Sequence, residues 1–160
     1  MKLTTYDEAL CSIVEPNVCT TRKRFDVLMS MKKEGIPTVV WLYPLLPFIN
    51  DTEENLRGIL EYCFEAGVKG VISFGTGLTL REGNREYFYS KLDEHFPGLK
   101  QEYIKRYGNS YEIPSPRYKE LNAIFHNECS RHKVMHDPEE IFTYLRAFED
   151  KLSPVQLKLF

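Results

Sequence analysis

Apolar residues along the chain alternate between short continuous runs and stretches of helical period. Mostly apolar runs occupy residues 38–43 and 68–74, and a shorter extended piece covers residues 2–5. Between them, apolar residues recur every three or four positions, as on one face of a helix. Because the connections are short, this order predicts right-handed βαβ units on a parallel sheet. The uniformly apolar run 38–43 is typical of a strand covered on both faces.

Two helices are predicted between these strands. The first begins at Thr21, places Phe25 and Leu28 on one face, and ends at Gly35. The second follows Asp51, which we expect to be its N-cap, and ends at Gly67. The piece at residues 2–5 resembles the end of a strand whose beginning is absent.

The alternation stops near residue 84. From there the pattern predicts a helical C-terminal extension that packs on the sheet, interrupted by the segments PGLK, NSYEIPSP and VMHDP. Residues 1–83 and 84–160 are therefore interpreted as two parts of one compact unit, in agreement with the length of 160 residues. The predicted helices of the extension cover residues 84–95, 98–107, 116–132 and 138–149.

Composition narrows the classes of partner. The 21 basic and 23 acidic residues leave a net charge of −2, which does not support binding to nucleic acid or to an anionic membrane. No apolar run approaches the ~20 residues that a membrane-spanning helix needs, and the N-terminus lacks the core of a signal peptide. We therefore expect a cytoplasmic protein. Its four irregularly spaced cysteines suit reduced thiols better than disulfides.

The carboxyl ends of parallel strands meet at one edge of a sheet, where ligands bind in α/β proteins. Three segments should converge there, residues 4–7, 44–51 and 75–84. They offer hydroxyls, an extended backbone stiffened by two prolines, and two glycines that let main chain approach a flat ligand. These features predict a small-molecule site.

Purely structural roles are open for each segment. Residues 4–7 could form the N-cap of a helix, and the prolines could simply direct the chain out of the sheet. The GTG sequence at residues 75–77 lacks the further glycine or Lys-Ser/Thr ending of a phosphate-binding loop. No catalytic triad, zinc-protease motif or Walker loop is present in the sequence.

A second group of polar residues lies in the C-terminal extension. His126 and Cys129 are three positions apart and could share a helix face, as two zinc ligands would. His132 and His136 depart from that spacing. Surface histidines and a packed thiol are the simpler interpretation.

Three sequence motifs carry a family resemblance. They are EPN at residues 15–17, PLLPFINDTEEN at residues 44–55, and LREGNREYFY at residues 80–89. With their surroundings, from about residue 2 to 150, they resemble the C-terminal half of radical S-adenosylmethionine (SAM) enzymes of the spore photoproduct lyase-like group. The resemblance implies the last three strands of a partial, TIM-type (β/α)6 barrel.

In that family, three cysteines spaced CxxxCxxC hold a 4Fe-4S cluster, which cleaves SAM reductively to a 5′-deoxyadenosyl radical. The resemblance implies two threonines near the SAM ribose, and Arg24 or Glu15 near the charged groups that meet its amino-acid end. It also implies a proline on the adenosine side and three residues of the sixth strand near adenine. These cofactor-binding residues, with no catalytic or metal-binding residue among them, are Thr4, Thr5, Glu15, Arg24, Pro44, Phe74, Gly75 and Thr76.

The cysteines at positions 11, 19, 63 and 129 cannot form CxxxCxxC, and thiolates are what hold such clusters. We therefore expect the chain alone to bind no cluster and to be inactive, with a 4Fe-4S cluster present only together with an N-terminal half-barrel. A truncated reading frame, an internal start or an expression fragment would explain the missing half. An unpaired strand edge and exposed apolar faces then predict self-association or low stability.

Two functional hypotheses remain. The first is that the chain supplies part of the SAM pocket and a substrate-facing cap to a radical SAM protein. The alternative is a stand-alone α/β ligand-binding or interaction domain without catalysis. A metal-dependent hydrolase is disfavoured because the strand ends lack a His/Asp cluster. The sequence reveals neither the substrate nor the reaction.

Overall fold

The computed structural model describes residues 1–147, which form a mixed α/β fold. The part of the predicted extension from residue 148 to 160 lies outside the described residues. The strands are β1 (Lys2–Leu3), β2 (Val39–Leu42), β3 (Gly70–Ile72), β4 (Gly77–Thr79) and β5 (Glu112–Pro114). The helices are α1 (Glu8–Val14), α2 (Thr21–Lys33), α3 (Glu53–Ala66), α4 (Asn84–His95), α5 (Leu99–Tyr107), α6 (Tyr118–Arg131) and α7 (Pro138–Arg146).

The first three strands form a parallel sheet in the order β1-β2-β3, which confirms the predicted βαβ pattern. Leu3 is level with Leu42, and Trp41 is level with Ile72 on the next strand. Each strand is shorter than the apolar run that predicts it, because the residues after it turn away to form the edge described below. The sheet places the three strand ends side by side.

Helices α2, α3 and α6 cover one face of this sheet. Val40, Leu42 and Val71 are buried there with apolar side chains of the three helices. Successive residues of a strand point to opposite faces, so Trp41 lies on the other face, where it is 41% exposed. The expectation that this strand is covered on both faces is therefore wrong for the described residues.

The outer edge of β3 is occupied by an extended segment of the C-terminal part. Val71 N–H donates to the carbonyl of Met135 at 2.9 Å, and Met135 N–H donates to the carbonyl of Lys69 at 3.2 Å. Helix α7 follows and packs Ile141 against Gly70, where a Cβ atom would lie 3.0 Å from the isoleucine side chain. The extension therefore packs on the sheet, as predicted.

Two elements differ from the sequence-based prediction. Helix α1 occupies residues 8–14, for which the sequence predicts no element, and Asp7 caps it by accepting a hydrogen bond from the amide of Leu10 at 2.6 Å. The alternative N-cap role of residues 4–7 is thus confirmed. The NSYEIPSP segment, predicted as a break between helices, contains β5, which pairs antiparallel with β4.

The β4–β5 pair depends on glycine. Gly77 has a φ of 143°, and a Cβ atom on it would lie 2.4 Å from the carbonyl oxygen of Ile113. A second apolar cluster, formed by Leu80, Leu92, Tyr103 and Ile113, lies beneath this pair and helices α4 and α5. Within residues 1–147, no helix combines the length and the apolar character needed to cross a bilayer.

Candidate functional site

The three predicted segments meet at one edge of the sheet, as expected. The register of the strands, continued by one or two residues, brings Thr4, Tyr43 and Phe74 level with one another. Neighbouring strands lie about 4.8 Å apart, so these residues span roughly 10 Å. With Lys2 and Trp41 they share the face of the sheet opposite α2, α3 and α6, which we call the open face.

A charged cluster lies at the β1 end of this edge. The carboxylate of Glu15 accepts hydrogen bonds from the hydroxyl of Thr4 at 2.5 Å and from Nη1 of Arg24 at 2.9 Å. Nζ of Lys2 lies 3.3 Å from the same carboxylate. Arg24 also donates to the carbonyl of Lys2 at 3.2 Å and is buried. Glu15 and Arg24, which were predicted as alternatives for a charged group of the site, thus form an ion pair with each other.

Burial raises the pKa of Glu15, but the hydrogen bonds from Thr4 and Arg24 and the charge of Lys2 outweigh that effect. The net result is a pKa below the ordinary glutamate value of 4.5. Glu15 is therefore ionised at neutral pH, and its charge is compensated by two cations.

Asn50, which sequence reasoning assigned no role, holds the edge together. Its amide donates to the carbonyl of Thr4 and to the hydroxyl of Thr5, both at 3.0 Å, and accepts from the amide of Leu46 at 2.5 Å. Thr5 is fully buried, so its hydroxyl accepts the hydrogen bond from Asn50 behind the edge and is not exposed on it. The available signal was an asparagine directly after an apolar strand exit, a position where side chains often bond to backbone.

The predicted cap of α3 is wrong. Thr52, not Asp51, caps the helix by accepting from the amide of Asn55 at 3.1 Å. Asp51 is buried and accepts from the hydroxyl of Ser115 at 2.5 Å. Burial raises the pKa of Asp51, and the bond from Ser115 opposes that shift. Asp51 therefore connects residues 44–51 to the C-terminal extension by a hydrogen bond.

Tyr103 makes a second such connection. Tyr103 is a buried residue of α5, and its hydroxyl donates to the carbonyl of Pro47 at 2.7 Å. Pro44, the predicted residue of this segment, follows a cis peptide bond and lines a cavity next to Thr4. The second segment is thus held at both ends by side chains distant in sequence.

Three hollows follow one another along the open face. A cavity of about 610 Å³ between α1 and α4, the α1–α4 cavity, is lined in part by Lys2, Thr4, Glu15 and Pro44. A hollow of about 480 Å³ lies over Lys2, Trp41 and Tyr43. A third of about 470 Å³, the aromatic cavity, is lined by Trp41, Tyr43, Phe74, Gly75, Thr76 and Tyr118, among others. Neighbouring hollows share residues and together form one continuous concave surface. Six of the eight predicted residues line it, whereas Thr5 and Arg24 are buried and line none of the three hollows.

Thr76 stands out in the aromatic cavity. It is 8% exposed, and its hydroxyl has no hydrogen-bond partner among the described residues. Buried hydroxyls are normally paired, so an orphan next to a cavity indicates a missing partner. Gly75 has a φ of 99°, and a Cβ atom on it would lie 2.8 Å from the ring of Tyr118. Glycine therefore lets this ring close one side of the cavity.

Within residues 1–147, no three His, Cys, Asp or Glu side chains form a group that could hold a metal ion. Cys11, Cys63 and Cys129 are buried, and Cys19 is exposed. Burial raises the pKa of Cys129 to about 12, which keeps it a thiol. The described cysteines therefore offer no thiolate set for an iron–sulfur cluster.

The histidines of the C-terminal extension do not form one cluster among the described residues. His126 and His136 have ring centroids 5.2 Å apart, whereas His132 stacks on Phe64 at 3.8 Å. Cys129 is buried in the main core, as the packed-thiol interpretation predicts.

Comparison with known proteins gives relatives but no family. No protein-family model and no solved structure matches the chain. Proteins of Mycobacterium bovis and Mycobacterium tuberculosis, both described as uncharacterized, are 30% identical over 121 residues, which is 76% of this chain and 35% of each relative. An uncharacterized protein of Acidianus two-tailed virus is 32% identical over 97 residues, or 59% of this chain and 32% of its own length. The chain thus spans about a third of the curated relatives that it matches.

Proposed function

We propose that the chain forms the C-terminal half of a radical SAM barrel of the spore photoproduct lyase-like group and supplies part of its SAM pocket. The observation that carries this proposal is the continuous concave surface along the open face. It is lined by six of the eight residues that the family resemblance implies, and along the chain these range from Thr4 to Thr76. A parallel sheet with three helices on one face is also what a sector of a (β/α)6 barrel would present, the opposite face being the barrel interior. Helix α7 covers only part of that face, against Gly70 and Trp41.

The dimensions and chemistry of the surface suit an adenosyl group. Three adjacent strands span about 10 Å, comparable to a purine with its ribose. Trp41 and Phe74, 5.5 Å apart, offer aromatic contacts to a flat base. The unpaired hydroxyl of Thr76 can donate to, or accept from, a base edge. We assign the adenine to the aromatic cavity.

The other end of SAM is a zwitterionic amino acid. It requires an acceptor for its ammonium and a donor for its carboxylate. Glu15 and Lys2 supply this pair at the β1 end of the same surface, with Nζ and carboxylate 3.3 Å apart. Arg24 acts from behind by orienting Glu15. Thr4 lies at this same end, where its hydroxyl bonds Glu15, and we assign the ribose to the stretch between Thr4 and the aromatic cavity.

The iron–sulfur cluster would have to come from another polypeptide segment, because the described cysteines do not form a ligand set. When bound, such a cluster supplies the electron for reductive cleavage of SAM. The residues of this chain bind and orient the cofactor, and helix α4 shields it at the β1 end. In this proposal the chain alone binds without reacting.

The test begins with binding of S-adenosylhomocysteine, which is stable and needs no cluster, measured by titration calorimetry. Thr76→Val should weaken binding about fivefold to tenfold, the effect of one lost hydrogen bond. Thr143→Val, on the exposed side of α7, is the matched control and should leave affinity unchanged.

The same titration is repeated after co-expression with an N-terminal radical SAM half that carries CxxxCxxC. The expected result is a brown complex that binds S-adenosylhomocysteine and that, when reduced in the presence of SAM instead, releases methionine and 5′-deoxyadenosine. Failure of both the chain and the complex to bind S-adenosylhomocysteine would overturn the proposal. Binding without cleavage in the complex would favour the alternative of a ligand-binding domain.

A further inference from the structure

The α1–α4 cavity extends beyond the residues assigned to SAM. Its volume of about 610 Å³ falls within the usual range of small-molecule sites, roughly 300–1,000 Å³. Past Thr4 and Pro44, its walls come from α1, from the segment after β2 and from α4. Most of these wall residues are apolar, and they include Ile13, Val14, Leu46, Ile49, Phe88 and Leu92.

Such a wall selects a ligand with an apolar body. Leu92 is buried in the second apolar cluster, which gives this side of the cavity a fixed shape. Ile13, by contrast, is 40% exposed although it lies on a helix next to the core. An apolar side chain left uncovered at a cavity wall gains free energy when a ligand covers it.

The charges at the two ends of the cavity are unequal. At the α4 end, Lys91 and Glu94 neutralise each other through a 2.5 Å ion pair. At the β1 end, one carboxylate, Glu15, faces two cations, Lys2 and Arg24.

Arg24 and Thr4 already bond the Glu15 carboxylate, so Lys2 is held only at 3.3 Å, and its side chain is 52% exposed. The β1 end therefore carries one excess positive charge, located on an accessible ammonium group. A cation partly removed from water attracts an anion more strongly than one in bulk solvent.

We propose that the α1–α4 cavity binds a small organic anion with an apolar body, whose acid group lies at Lys2 and whose body lies between α1 and α4. As a substrate site beside the adenosyl group, this inference rests on the proposed function, in which the ammonium of Lys2, with its three N–H donors, bonds both the SAM carboxylate and the acid group of the second ligand. As a binding site, it rests only on the cavity and its charges. The two can therefore be tested separately.

Three probes of nearly equal shape test the charge preference: 2-naphthaleneacetate, 2-naphthaleneethanol and 2-naphthaleneethylamine. Their affinities are measured by titration calorimetry and ligand-observed NMR, without and with S-adenosylhomocysteine. We expect the acetate to bind at least fivefold tighter than the amine, with the alcohol between them. The preference should shrink at high salt, since it is electrostatic.

Two pairs of variants locate the site. Lys2→Gln should remove the preference for the acetate, whereas Lys23→Gln, an exposed lysine of α2 outside the cavity, should preserve it. Ile13→Gln should weaken all three probes by a similar factor. Its control is Ile104→Gln, since Ile104 is 48% exposed on α5 and does not line the cavity. Circular dichroism verifies that each variant is folded.

Equal affinity for the three probes, no saturable binding of any of them, or an unchanged preference in Lys2→Gln would overturn the inference. Binding of 2-naphthaleneacetate without binding of S-adenosylhomocysteine would uphold it and count against the proposed function. The reverse pattern would uphold the proposed function alone.

Discussion

Thr4 and Thr76 are both buried threonines at strand ends, but their hydroxyls differ in partner. The hydroxyl of Thr4 donates to Glu15 at 2.5 Å, whereas that of Thr76 has no partner among the described residues. A buried polar group without a hydrogen bond costs about 1–3 kcal/mol. The free protein therefore carries a local cost at Thr76 that a ligand could relieve.

Replacing each threonine by valine, which has nearly the same shape, separates the two cases. Thr76→Val should leave the free energy of unfolding unchanged or raise it by up to about 1–2 kcal/mol, because no bond is lost. Thr4→Val should lower it by about 1–3 kcal/mol, because the Glu15 carboxylate loses a donor. Urea denaturation followed by circular dichroism measures both. Equal losses in the two variants would mean that Thr76 is hydrogen-bonded after all.

Glu15 should make stability depend on pH in acid. Its folded pKa is below 4.5, so the unfolded chain takes up the proton first as the pH falls. The stabilisation from Glu15 is therefore fully present above 4.5 and is lost as the pH falls through the folded pKa.

The measurement compares the free energies of unfolding of the wild type and Glu15→Gln between about pH 7 and pH 3. The difference should be largest at neutral pH and should shrink in acid. Taking the difference cancels the opposite contribution of Asp51, whose pKa is raised by burial. A difference that grows as the pH falls would contradict the assigned ion pair.

Helix α3 contains a glycine that helical propensity alone does not explain. A Cβ atom on Gly58 would lie 2.4 Å from the ring of Tyr6, the residue that leads from β1 into α1. The ring also lies 5.1 Å from that of Tyr62, one turn further along α3. Gly58 therefore lets the chain after β1 approach the helix closely.

Gly58→Ala tests which effect is larger. Alanine gains about 1 kcal/mol of helix propensity, but overpacking costs about 1–3 kcal/mol. We expect a net loss of stability of about 1–2 kcal/mol in chemical denaturation. In a Tyr6→Ala background, which removes the ring, the same substitution should be neutral or stabilising. A stabilising effect in both backgrounds would show that the ring moves aside freely.

At the scale of the molecule, the open face leaves large aromatic side chains exposed to solvent. Trp41 and Phe74 are 41% and 58% exposed, although the ring of Phe142 of α7 lies 6.5 Å from that of Trp41. Exposed aromatic clusters on soluble proteins mark interaction surfaces. Self-association or pairing with a complementary half-barrel therefore stays our prediction for this face.

Trp41 is the single tryptophan of the chain and reports directly on this face. As protein concentration rises, its fluorescence should shift to the blue and become less accessible to acrylamide, while sedimentation velocity shows species heavier than the monomer. Phe74→Ser should reduce both effects, and Ile104→Ser, at another exposed apolar position away from this face, should not. A monomer with unchanged quenching up to high concentration would contradict the prediction.

Much of the fold follows from local patterns. The parallel strands, α2, α3 and α4 lie where the apolar period and the glycines predict them, because backbone propensity and the burial of one face act over neighbouring residues. Helix α1 and the β4–β5 pair escaped prediction. The first is short and weakly periodic, and the second depends on contacts between residues about 35 positions apart.

By itself, the sequence determined the βαβ order, the shared edge of the strand ends and the residues selected by the motifs. Only the tertiary structure decided which of them face a cavity. In the folded chain, Thr5 is buried behind the edge and Asp51 accepts a hydrogen bond from Ser115. The hydroxyl of Thr76 has no partner among residues 1–147. The physical reason is that a hydrogen bond depends on distances between atoms, and distant segments acquire those distances only when the chain is folded.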